Sequence, residues 1–122
     1  MKYIIEHNVL RAEEHIALWD SAGWGSLDRE LVETSLRNSY ATFSVKDGEK
    51  VIAMARLIGD GGMAFFLKDL IVSPEYQGKG IGKELIAHIE DFVRSELEEG
   101  WWSFLQLISA KGKEDFYLKC GY

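Results

Sequence analysis

Apolar residues along this chain follow two rhythms, an alternating or continuous one that marks strands and a three-to-four-residue one that marks helices. Lys2-Tyr3-Ile4-Ile5-Glu6 combines β-branched and aromatic residues and predicts a first strand. Arg11 to Ala22 predicts a helix with Ala12, Ile16 and Trp19 on its apolar face. After the break at Trp24-Gly25-Ser26, Ser26 or Asp28 can cap a second helix through Asn38, burying Leu27, Leu31, Val32 and Leu36. Thr42 to Lys46 and Lys50 to Leu57 predict a hairpin turned at Asp47-Gly48. A second hairpin turns at Gly59-Asp60-Gly61-Gly62 into a strand over 63–72. Ile81, Leu85, Ile86, Ile89, Phe92, Val93 and Leu97 form one stripe of a long helix, which Glu98-Glu99-Gly100 ends. Trp101 to Ile108 then predicts a strand, and Lys111 to Lys119 a last helix stopped at Gly121. The order is β-α-α-β-β-β-α-β-α, an α/β (α+β) chain that no repeat, linker or low-complexity stretch divides.

Composition narrows this without changing it. The 122 residues form a single domain, 1–122, and 47% apolar residues with four Trp argue against disorder. No run approaches the roughly 18 apolar residues of a membrane span, and Met1-Lys2-Tyr3 begins no signal peptide. The lone Cys120 excludes an internal disulfide and fits a reducing, cytoplasmic setting. A net charge of −6 disfavours nucleic acid and, taken as a bulk property, favours cationic partners such as amines.

The chemistry centres on Gln77-Gly78-Lys79-Gly80-Ile81-Gly82-Lys83, between the apolar strand closed by Ser73-Pro74 and the long helix. Glycines let the backbone turn sharply, and the helix then offers unpaired N–H groups and a positive dipole end to an anion. A nucleoside-triphosphate loop is excluded, because Gln77 stands at its first glycine and Glu84 at its hydroxyl. A dinucleotide fingerprint fails at Lys83, and its βαβ context is replaced by hairpins. What remains is Q-x-x-G-x-G, on Gln77, Gly80 and Gly82.

This pattern resembles the acyl-CoA pyrophosphate loop of the GNAT superfamily of N-acetyltransferases. Asp115-Phe116-Tyr117-Leu118-Lys119-Cys120-Gly121-Tyr122 resembles the late helix of the same superfamily, and the element order agrees with it over the whole chain. The resemblance implies a mixed, mostly antiparallel central sheet flanked by helices. It implies transfer of acetyl from acetyl-CoA to a primary amine by direct attack on the thioester, without a metal. The backbone of Leu70, Ile71 and Val72 would pair with the pantetheine amides. Gln77, Gly78, Lys79, Gly80, Ile81, Gly82 and Lys83 would wrap the pyrophosphate. Tyr117 would donate a proton or hydrogen bond to the leaving thiolate.

A base is harder to read. Lys68 and Asp69 interrupt an apolar strand, and alternation sends one of them into the cleft. Asp69 is the candidate base or amine-orienting carboxylate, against an ordinary solvated or capping role. Trp19 and Trp24 would line the acceptor pocket or the core. His7, His15 and His88 are scattered along the chain and receive no catalytic or metal role.

Two departures stand out. Ser109-Ala110-Lys111-Gly112 replaces an Asn that members often use on pantetheine, and the chain stops at Tyr122 where members continue with further strands. A C-terminally short sheet would leave the apolar edge 101–108 open, which predicts a homodimer. The alternative function is a CoA-binding module with little or no catalysis. The acceptor, a small molecule or a peptide, is not legible.

Overall fold

The computed structural model describes residues 2–107 and 114–121. Its elements are β1 (Ile4–His7), α1 (Ala12–Ser21), α2 (Arg29–Arg37), β2 (Ala41–Asp47), β3 (Lys50–Gly59), β4 (Ala64–Val72), α3 (Ile81–Glu96), β5 (Phe104–Leu107) and α4 (Glu114–Lys119). The order matches the expected one. The strands form one sheet in the order β1-β2-β3-β4-β5. β1 to β4 are antiparallel neighbours, and β5 runs parallel to β4. The sheet is therefore mixed and mostly antiparallel.

Each face of the sheet buries a different helix layer. Phe43, Val45, Leu57 and Phe65 pack with Leu85, Ile86, Ile89 and Val93 of α3. On the other face Leu10 and Leu18 meet Met54 and Ile71, with Trp19 and Leu36 partly buried against them. The α3 stripe is as predicted, Phe92 and Leu97 being half-buried at its margin.

The short helices differ more. α1 turns Ala12, His15 and Leu18 fully inward and leaves Ile16 and Trp19 half-buried, so its inner face is rotated from the one expected. His15 is drawn in because it has a polar partner there, described below. In α2, capped by the Asp28 side chain on the Leu31 amide at 3.1 Å, only Val32 is buried. Leu31 remains 56% exposed.

The first hairpin turns at Gly48 and Glu49, one position later than expected, with Asp47 paired to Lys50. In the second, Asp60 Oδ1 accepts from the Gly62 and Ala64 amides at 2.8 and 3.1 Å and pins the turn. β5 is shorter than the expected 101–108. Trp101 to Ser103 precede it, and residue 108 lies outside the described residues. So do Ser109 to Gly112 and the expected start of α4. Gly121 stops α4 at φ 93°, the left-handed backbone that favours glycine.

Candidate active site

β4 is not a regular strand. Its pairing with β3 steps from Met54–Ile71 to Arg56–Lys68, so β4 carries one extra residue there. Asp69 sits in this bulge at φ 54°, a left-handed conformation that non-glycine residues rarely adopt. The bulge breaks the alternation expected from sequence. Lys68 and Asp69 both line the adjoining cavity, where only one was expected.

Beyond β4, Ser73 N still donates to Ile52 O at 2.8 Å, and Pro74–Tyr76 forms one 3-10 turn. Gln77 Nε2 donates to Val72 O at 3.0 Å, tying the glycine turn back to the strand end. Gly78 and Gly80 have φ 78° and 81°, and a Cβ added at either would meet nothing within 4 Å. Gly80 caps α3, and no side chain caps that terminus. The first-turn amides and dipole of a 16-residue helix therefore face open space, the arrangement an anionic group requires. Gly82 serves packing: a Cβ there would lie 3.0 Å from Phe116 Cζ of α4. Lys83 lines the cavity, whereas Lys79 lies outside the lining with its ammonium 5.3 Å from the Tyr76 ring centroid.

One cavity of about 520 Å³, within the usual range for ligand sites, gathers most of the residues singled out from sequence. The glycine turn, Leu70, Ile71 and Val72, Tyr117, and Trp19 with Trp24 all line it. Tyr117 is half-buried, edge-on to Phe116 at 5.2 Å between ring centroids. Burial first, and Cys120 second, push its phenol above the ordinary value, so it keeps its proton. Tyr76, which sequence reading passed over, also lines the cavity, and its hydroxyl donates to Asp47 at 2.7 Å. That hydrogen bond leads the causes that push its phenol up to about 12.

Asp69 is held from two sides. Arg56 Nε donates to Oδ2 at 2.8 Å and His15 Nε2 to the same oxygen at 3.0 Å. Arg56 also reaches Ser35 O and Ser39 Oγ, both at 3.4 Å, which links β3 to α2. Burial pushes the carboxyl upward, but the bonds from His15 and Arg56 together with the Arg56 charge outweigh it. The group settles below its ordinary value and remains ionised. It is a poor proton acceptor and a well-oriented carboxylate. Arg56 had a signal in sequence, a lone charge in the apolar run from Val51 to Leu57. His15 had none, since its partner lies 54 positions away.

The other histidines also meet only in space. His7 of β1 and His88 of α3 approach to 2.6 Å between Nε2 atoms, boxed by Phe43 and Phe92. Among the described residues, no group of three or more His, Cys, Asp or Glu is placed to hold a metal, and no helix is long and apolar enough to cross a membrane.

Trp19 and Trp24 also line the cavity, edge-on at 4.8 Å between centroids. Trp19 Nε1 donates to Trp24 O at 3.2 Å, which fixes the loop between α1 and α2.

Residues 38–122 match the family model of the acetyltransferase (GNAT) domain. The chain is 27% identical to an uncharacterised N-acetyltransferase, ycf52, of Pyropia yezoensis, over 98% of its own length and 69% of that protein's. It is 30% identical to the chloroplastic GCN5-related N-acetyltransferase 2 of Arabidopsis thaliana over 86% of this chain, and it covers 47% of that relative. Among solved structures, a Staphylococcus aureus protein of unknown function, described as a probable acetyltransferase, superposes with a TM-score of 0.86. Identity there is 29%, covering 98% of this chain and 89% of the other. A GNAT family acetyltransferase from Streptococcus pneumoniae gives a TM-score of 0.78 at 28% identity, over 98% and 86% of the two chains. A family match reaching from Asn38, just past α2, to the last residue, with the fold likeness across nearly the whole chain, makes this protein a member of the GNAT family of acetyltransferases and so an acyltransferase.

Proposed function

We propose that the protein transfers the acetyl group of acetyl-CoA to the nitrogen of a primary amine by direct attack. The observation that carries this is the single cavity joining the uncapped N-terminus of α3 to Tyr117 and the paired tryptophans. Amides of residues 78–83, with Lys83, take the pyrophosphate. The bulged end of β4, at Leu70, Ile71 and Val72, takes the pantetheine amides, as an extended chain is best held by strand-like bonds.

The neutral amine attacks the thioester carbonyl, the new C–N bond forms and the C–S bond breaks. Tyr117 gives its proton to the departing thiolate, and the proton lost by nitrogen leaves through water. Asp69 orients the amine as an acceptor; with Oδ2 bonded to Arg56 and His15, it is not the base. No covalent enzyme intermediate is needed, because a neutral amine is itself a competent nucleophile for a thioester.

The reaction belongs to a reducing aqueous compartment, the cytoplasm or, given the chloroplastic relative, a plastid. A homodimer that covers the β5 edge, where Phe104 is 59% exposed, completes the reading. Acetyl-CoA turnover with a panel of primary amines, measured beside CoA binding by calorimetry, tests it. CoA binding with turnover of at least one amine is the expected result. Binding without turnover on any amine makes the protein a CoA-binding module, and no binding overturns the cavity assignment.

A further inference from the structure

The acceptor end of the cavity carries the opposite charge to the protein as a whole. Arg56 of β3 and Lys68 of β4 are direct cross-strand partners, so two cations stand side by side on the sheet face that α1 and α2 cover. Like charges in that position repel. Among the described residues that line the cavity, Asp69 is the one carboxylate placed to answer them, and its Oδ2 already binds Arg56 and His15. Lys68 is half-buried and lines the cavity with Trp19, Ala22 and Trp24. Among the described residues, no ion pair, hydrogen bond or ring contact engages its side chain. With Arg56 and Lys68 positive and Asp69 negative, this end holds a surplus positive charge in a chain of net charge −6.

A half-buried ammonium with no counter-charge is costly unless something supplies one. We infer that the acceptor supplies it: the substrate is a small primary amine that also carries an anionic group, bound by Lys68, on an apolar skeleton that packs against Trp19 and Trp24. This rests on the acetyltransfer reading above and names its substrate class. The same surplus charge disfavours the ammonium form of the acceptor, so it helps present the neutral nitrogen that attack requires. A polyamine would meet Lys68 as a like charge and is selected against. The bulk charge of the protein, which favours cations at a distance, is overruled in the site because near charges in a partly dry cavity dominate far, screened ones.

Calorimetry on the CoA-loaded full chain tests this. The probes are L-phenylalanine, 4-(aminomethyl)benzoate and 5-aminopentanoate, each beside its carboxamide, with 4-aminobutyl phosphate and 1,5-diaminopentane. At least one carboxylate should bind about tenfold or more tightly than its amide, as a charge-assisted bond implies. If the anion is instead a phosphate, 4-aminobutyl phosphate alone shows the preference over the diamine. Lys68→Gln should bring each pair to parity with CoA affinity retained, and Lys68→Arg should keep the preference. The inference is overturned if amides or the diamine bind as well as every anion, or if Lys68→Gln leaves the preference intact. Turnover measured in parallel separates the two readings. An anion preference without turnover leaves this inference and removes acetyltransfer, whereas turnover without the preference does the reverse.

Discussion

Single residues in this cavity owe their roles to backbone conformation and burial as much as to side-chain chemistry. Gly80 is left-handed at φ 81° and faces open space, so a side chain there is strained and also occupies the volume next to the α3 amides. Gly80→Val is expected to weaken CoA binding by about tenfold or more, with local strain of about 1–3 kcal/mol on the fold. Calorimetry showing parental affinity would remove the pyrophosphate from this turn. Tyr117 is kept protonated by burial, the state a donor to a thiolate must be in. Tyr117→Phe should lower kcat about 10²-fold with little change in CoA affinity, because only the leaving-group hydrogen bond is lost. An unchanged rate at all pH values would leave Tyr117 a packing residue beside Phe116.

Between elements, the bulge in β4 does what a regular strand would not, turning Lys68 and Asp69 to the same cavity. It is held by α1 through His15 and by β3 through Arg56, so the acceptor end depends on three elements at once. Asp69→Asn removes the charge that answers Arg56, whose side chain is 14% exposed. A loss of about 3–5 kcal/mol of stability is expected, the range for breaking a buried pair by removing one partner. The pH dependence has a definite sign. Asp69 titrates below its ordinary 3.8 when folded, so its stabilisation is complete above that value and is lost as pH falls through the lower, folded one. Thermal melts from pH 7 to pH 3 should show a steeper acid limb in the parent than in Asp69→Asn. Parallel limbs would mean that folding leaves the Asp69 pKa unchanged.

At the scale of the whole molecule, β5 is an edge of the sheet among the described residues, and Trp101, Trp102 and Phe104 beside it are 53, 62 and 59% exposed. Unpaired strand edges with apolar side chains invite another chain. Sedimentation at micromolar concentration is expected to show a dimer that dissociates when Phe104 is replaced by Lys. A monomer in the parent at all concentrations would show that the edge is not a contact between copies.

The sequence by itself determined the element order, the α3 stripe from Ile81 to Val93 and the glycine turn. These depend on short-range spacing, where a period of two or of 3.6 residues or a glycine pair is readable in place. It also named most of the cavity lining, because a strand–turn–helix puts residues of the stretch from Leu70 to Lys83 around one cavity by local geometry alone. Tertiary structure decided the rest. The inward turn of His15 onto Asp69, the Arg56–Lys68 pairing and the contact of His7 with His88 each join residues of different elements, and the left-handed Asp69 sits where β4 bulges against β3. Periodicity assigns a side chain to a face of its own element. It does not say which charge stands opposite on the next strand, and that local juxtaposition sets the field at the acceptor end against the sign of the whole chain.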